Sequence, residues 1–145
     1  MYEAANNLQT SVTDASERLR EISEADAAVP MKAGGWSAKQ VIGHLIDSAC
    51  NNHQRFVRLA LAPGLVSPGY EQAEWVNLQD YASRRWTDLL ALWTSYNLHL
   101  AHVMAAIPAE SLANQGTVNG SPVTLQFLME DYVAHLEHHL SSILR

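Results

Sequence analysis

The sequence predicts an all-α fold, a four-helix bundle with a long crossover between its second and third helices. Three observations predict it. Four segments carry apolar residues at the three- and four-residue spacing of a helix face. Each is bounded by Pro, Gly or a residue that can cap a helix. The connection from Pro63 to about Asp80 is too long for a tight turn between antiparallel neighbours, and a crossover lets the second and third helices run the same way. At 145 residues, residues 1–145 should form one domain around one core.

The first helix should run from about Ala4 to Glu24. Leu8, Val12, Ala15, Leu19 and Ile22 recur at gaps of 4, 3, 4 and 3, the repeat of a bundle seam. Asp14, Glu17, Arg18 and Glu21 form its solvated side, and Pro30 with Gly34-Gly35 closes the segment. Ser37-Ala38-Lys39-Gln40 fits a capping box for a second helix, with Trp36 and Val41 placed to pack across the cap. That helix should extend from Ala38 to about Ala62, where Pro63-Gly64 stops it. Val41, Leu45, Ala49, Phe56 and Leu59 give its apolar face. Along one flank His44, Ser48, Asn51 and Arg55 stack at i, i+4, i+7 and i+11, with Asp47 on the outer edge. So regular a polar stripe either lines a cavity or is an exposed flank of chance spacing. Cys50 lies about 120° from His44 and should serve in packing, outside the chemistry.

The crossover should contain a short helical piece near Ala73 to Leu78, and it carries Tyr70 and Trp75, large side chains that an idle loop would rarely need. A third helix should span about Ala82 to Ala106, with Leu89, Leu92, Trp93, Tyr96, Leu100 and Val103 inward. His99 lies beside its apolar side and His102 at its surface; neither has a partner at metal-binding spacing within this helix. After Pro108, Asn119-Gly120 closes a small hairpin or marks an irregular loop. Thr124 can cap the fourth helix, Leu125 to Leu144, with Val123 and Leu128 packing across its start.

Composition excludes several function classes. Hydrophobic content of 48% with 17% charged residues is that of a folded globular domain. A net charge of −6 without any Lys or Arg cluster argues against a nucleic-acid surface. No apolar run approaches the roughly 18 residues of a membrane span. A single cysteine forbids an internal disulfide, and Met1-Tyr2-Glu3-Ala4 lacks the basic and apolar regions of a signal peptide, so the expected location is cytoplasmic.

The chemistry concentrates in the fourth helix. His135 and His139 project about 40° apart, on the side that also carries Leu128, Tyr132, Leu136 and Ile143. Imidazoles on an apolar face are costly unless bonded or bound, and the i, i+4 spacing lets both reach one metal ion. Hydrogen bonding within the core is the simpler alternative. His138 is a rim residue, and Glu137 faces away, so the zinc-protease helix signature is absent.

The sequence resembles the DinB-like superfamily, in particular its YfiT-type candidate metal-dependent hydrolases. The likeness rests on Trp36 through Ser48, on Asn51 with Arg55-Phe56, on Tyr70-Glu71 with Trp75, and on Asp131 through His139. It implies a three-histidine metal site, by position His44, His135 and His139. Three neutral imidazoles with an open fourth position suit zinc or nickel best, with iron or manganese also admissible. It implies further hydrolysis or transfer of a low-molecular-weight thiol, and a homodimer, for which Tyr2, Trp86 and Trp93 are candidate surface residues. A small, anionic substrate is expected from Arg55, about three turns along the stripe from His44 and suited to gripping an anionic group. Asn51 and Arg55 would orient the substrate. Asp47 would either hold a ligand imidazole or accept a proton. No Glu projects from the histidine faces, so Asp47, Glu71 or Glu74 would have to supply a general base. The alternatives are a non-catalytic metal- or ligand-binding bundle and a purely structural one.

Overall fold

The computed structural model describes residues 3–145. Helix α1, Glu3–Arg20, buries Leu8, Val12 and Leu19 completely, at the predicted spacing. It ends four residues before the expected Glu24. Ser23 accepts a hydrogen bond from the Asp26 backbone N–H and starts a separate turn, α2, Glu24–Ala27. Helix α3, Ala38–Leu61, begins with the predicted capping box: the Ser37 side chain accepts from Gln40 N–H while Gln40 Oε1 accepts from Ser37 N–H at 3.0 Å.

The crossover holds a two-residue strand, β1, Val66–Ser67, and the short helix α4, Gln72–Leu78, close to where a helical piece was expected. The third long helix, α5, Trp86–Ala106, starts later than Ala82, because Tyr81–Ser83 form a separate 3-10 turn. Its inward face is also rotated from the expectation. Leu92 is 42% exposed, whereas Leu90, Asn97, Ala101 and Met104 are buried. Asn97 can sit in the core because it donates to the Trp93 carbonyl and accepts from the Tyr132 hydroxyl. Trp86 and Trp93, candidates for a shared dimer surface, are buried within the chain at 2% and 0% exposure; Tyr2 lies outside the described residues. The Trp86 indole N–H donates to the Leu19 carbonyl, which accounts for its inward position.

Asn119-Gly120 does close a hairpin. Both residues adopt positive φ, the geometry of a two-residue turn that matches strand twist. It joins β2, Gln115–Val118, to β3, Ser121–Thr124, and β2 pairs in parallel with β1, so the crossover and the last connection share one small sheet. Helix α6, Leu125–Ile143, follows directly, with Thr124 accepting from the Phe127 N–H as its cap.

Contacts fix the directions. Lys39 at the start of α3 and the Trp86 N–H at the start of α5 both bond the Glu24 carboxylate, while Asn114 beyond α5 donates to Leu59 near the end of α3. Those two helices therefore run parallel. Ser11 bonds Glu137 and Arg18 bonds the Leu144 carbonyl, so α6 runs alongside α1 in the same direction. Up, down, down, up is the four-helix bundle with a crossover that the sequence predicted.

Candidate metal centre

Helices α3 and α6 pack face to face and bring His44, His135 and His139 together. His44 is completely buried, and neither of its ring nitrogens has a hydrogen-bond partner. Its ring centroid lies 5.3 Å from that of His135 and 4.9 Å from that of His139, which are 4.5 Å apart. Nε2 of His135 and Nε2 of His139 stand 3.1 Å apart. One nitrogen from each ring falls within 4.8 Å of the others. Ligand nitrogens about 2.0–2.1 Å from a tetrahedral ion sit about 3.3 Å from one another, so this donor set could hold a divalent cation with little rearrangement. A buried imidazole with both nitrogens unpaired otherwise has no compensation for its lost hydration.

The electrostatics agree with that use. Burial, and then the two neighbouring imidazoles, push His44 down to about 4. Burial, with His135 and His138, pushes His139 down to about 4 as well. Burial also lowers His135, opposed by the Asp131 carboxylate one turn before it. All three rings are thus neutral at physiological pH, the form in which imidazole is a ligand.

Beside His135 opens a cavity of about 290 Å³, lined by Ser48, Asn52, Arg55, Tyr70 and Asp131 among others. A larger depression of about 470 Å³, between the end of α1 and α5, is lined by no histidine, and chemistry rather than volume decides between them. Arg55 is only 8% exposed, and its pKa is lowered by burial. Its Nε donates to Ser67 Oγ at 3.1 Å and its Nη2 to the Pro68 carbonyl at 3.0 Å. It pairs with no carboxylate among the described residues. Tyr70 packs on Trp75 at 5.0 Å between ring centroids, and burial raises its hydroxyl pKa.

Several expected positions differ. Asp47 is not on an outer edge: it is 3% exposed, accepts from the Tyr81 hydroxyl at 2.7 Å and from Gln79 at 2.9 Å, and keeps Oδ2 unpaired. Burial raises its pKa against those two hydrogen bonds. The residues that cover it come from the crossover, whose docking periodicity does not report. Asn51 donates to the Asp47 backbone carbonyl and does not line the cavity, whereas Asn52, one residue on, does. Cys50 is exposed, not packed. Glu71 and Glu74 are exposed and do not line the cavity, which leaves Asp131 as the carboxylate lining it beside His135. Its i, i+4 relation to His135 was the available signal.

Fold and site together define a class, the crossover four-helix bundles that bring histidines from their second and fourth long helices into one cluster. The chain belongs to the DinB superfamily, whose family pattern matches residues 7–143. It is 27% identical to YfiT of Bacillus subtilis (strain 168), a candidate metal-dependent hydrolase, over 135 residues, 88% of this chain and 72% of that one. A Bacillus licheniformis relative described in the same terms is also 27% identical, over 130 residues, 85% of this chain and 71% of its own. The solved structure of YfiT, with its unusual four-helix bundle topology, superposes with a TM-score of 0.81 at 20% identity, covering 97% of this chain and 82% of that one. A mycothiol-dependent maleylpyruvate isomerase superposes with a TM-score of 0.79 at 11% identity, covering 97% of this chain and 59% of that one. At such identities these superpositions establish the shared fold. Among the described residues no helix is long and apolar enough to cross a membrane.

Proposed function

We propose that this protein is a metal-dependent enzyme that activates water or a thiol against a small anionic substrate, through a divalent ion held by His44, His135 and His139. The observation that carries the reading is His44, buried with two unpaired ring nitrogens against the His135–His139 pair. A divalent ion bound there supplies Lewis acidity, which makes a water or thiol nucleophilic near neutral pH. Zinc and nickel match the three-imidazole donor set best; iron and manganese are further candidates.

The remaining work falls to the chain's own residues. Arg55, buried beside the cavity without a carboxylate partner, would bind the anionic part of the substrate. Asp47, held by Tyr81 and Gln79, would keep its unpaired Oδ2 for a proton or a donor group. Asn51 would act only through the Asp47 backbone that it bonds, and Asn52 is better placed to touch a substrate. Hydrolysis has the support of the YfiT relatives' descriptions. Thiol transfer would lean less on Asp131, the carboxylate lining the cavity beside His135, since a thiol needs less help than water to lose its proton. A non-catalytic metal-binding bundle is the other reading, and the cavity opening directly beside His135 speaks against it. Cytoplasmic location and a homodimer complete the reading, the dimer using surfaces other than the buried Trp86 and Trp93.

Side-by-side assays of ester or amide hydrolysis and thiol conjugation, with His44→Ala and Arg55→Ala as controls, test the proposal. Activity that survives His44→Ala unchanged would overturn it.

A further inference from the structure

A second group of imidazoles lies on the opposite side of α3. His53 follows His44 by nine residues, which places it about half a turn round the helix. It is half-buried against α5, where its ring stands 5.5 Å from that of His99 at an interplanar angle of 81°. His102, one turn further along α5, stacks on His99 at 6.4 Å. Both α5 histidines are exposed.

The His53–His99 geometry closely repeats that of the buried site, where the ring centroids are 4.5–5.3 Å apart and the rings meet at 72–80°. Two imidazoles on one tetrahedral ion place their centroids about 5 Å apart, given ligand bonds of about 2.0–2.1 Å. The Tyr96 hydroxyl lies 2.9 Å from His53 Nδ1. In the tautomer whose Nδ1–H donates to that oxygen, Nε2 keeps its lone pair, and the ring is oriented as ligand histidines are by an outer hydrogen bond. Burial and the neighbouring His99 lower the His53 pKa, which favours the neutral ring.

We propose that His53 and His99 form a second divalent transition-metal site, on the surface between α3 and α5 and separate from the three-histidine pocket. Among the described residues only the buried triad already gathers three donor atoms within 4.8 Å. The surface site is therefore a two-imidazole site whose remaining positions are filled by water, with His102 able to join after a rotamer change. Imidazole donors in an open, aqueous shell select copper(II), nickel(II) or zinc(II) over magnesium or calcium. The site depends on neither the identity of the reaction nor the metal in the pocket.

The test is a titration of chelator-treated full-length protein with copper(II), followed by electron paramagnetic resonance and by equilibrium dialysis. Wild type is expected to take two equivalents per chain with distinct spectra. His53→Gln and His99→Gln, each confirmed as folded by circular dichroism, should weaken the second equivalent at least tenfold and leave the first unchanged. His99 is exposed, so its variant reads the site without disturbing the core. A wild type that takes one equivalent even in tenfold excess, undiminished in both variants, overturns the proposal. So does a second equivalent that persists undiminished in both variants.

Discussion

The Tyr81 hydroxyl donates to Asp47 Oδ1 at 2.7 Å, and its ring lies where a Cβ on Gly43 would be, 2.2 Å from Cδ2. This contact docks the crossover onto α3 one turn from His44. A glycine inside a helix costs about 1 kcal/mol against alanine, and here it makes room for the ring that positions a buried carboxylate. Gly43→Ala should therefore destabilise by about 1–3 kcal/mol despite its better helix propensity, because the ring must shift. Urea unfolding measures it; a stabilised variant would show that the Tyr81 contact is not obligatory.

Tyr81→Phe separates packing from hydrogen bonding. It should keep the ring on Gly43 but remove a donor from Asp47 Oδ1, which then keeps only Gln79 while Oδ2 stays unpaired. A loss of about 1–3 kcal/mol is expected for a buried polar group left short of a donor. A double-mutant cycle with Asp47→Asn isolates the coupling, and additivity within error would remove the link.

How much of this was legible follows from which forces report in sequence. The capping box at Ser37 and the turn at Asn119-Gly120 are local devices, and local residue types disclose them. The His135–His139 pair is local as well, because one helix turn sets its geometry. The burial of Asp47 depends on Tyr81 and Gln79, some thirty residues on, and no periodicity encodes where a crossover lies down. The rotated face of α5 has a similar cause. Asn97 reads as polar and outward, yet Tyr132 of another helix satisfies it in the core, so Leu92 turns out to solvent. Asn51 and Asn52 differ by one position, and only packing against α6 decides which borders the cavity.

Metal retention distinguishes the three histidines from the rest. After dialysis against a weak chelator, wild type should keep one tight divalent ion per chain. His44→Ala, His135→Ala and His139→Ala should lose it, whereas His138→Ala, His53→Ala and His102→Ala should keep it. Elemental analysis decides; full retention by both His135→Ala and His139→Ala sinks the triad.

The depressed imidazoles also give the metal-free protein a pH signature. His44 and His139 lie at about 4 in the fold against about 6.5 when unfolded, so between these values the unfolded chain binds more protons. Stability contributed by the neutral rings is complete above about 6.5 and is lost as pH falls towards 4. Urea midpoints of the metal-free protein should fall from pH 7 to pH 4.5, and more steeply than in a folded His44→Gln/His139→Gln variant. Equal slopes would mean that these rings do not titrate as their burial requires.

Arg55 serves two purposes that kinetics can separate. Its bonds to Ser67 and Pro68 pin the crossover, while its charge borders the cavity. Arg55→Lys should restore charge without the planar fork, and Arg55→Ala neither. For an anionic substrate, KM should rise at least tenfold in Arg55→Ala and less in Arg55→Lys, with kcat the less affected. A neutral analogue of the same substrate should be indifferent to both changes. If every activity ignores Arg55→Ala, the stripe on α3 is only a polar flank.

The carboxylate beside the donors separates the two candidate reactions. Asp131 lines the cavity and opposes the burial that lowers the pKa of His135 one turn later, which places its charge near the centre. Water at such a centre needs a proton acceptor, and a positioned general base contributes about 10²–10⁴-fold. A thiol, whose free pKa is already about 8.5, gives up its proton to the ion's charge far more readily. Asp131→Asn keeps the side chain's size and removes its basicity. If the protein is a hydrolase, kcat should fall by about 10²-fold or more while the metal content stays constant. If it is a thiol transferase, the same substitution should change kcat by less than about tenfold, because the step Asp131 would assist is not limiting. A large loss in thiol conjugation with hydrolysis untouched would contradict both assignments and move the base elsewhere, with Asp47 and its unpaired Oδ2 as the next residue to replace.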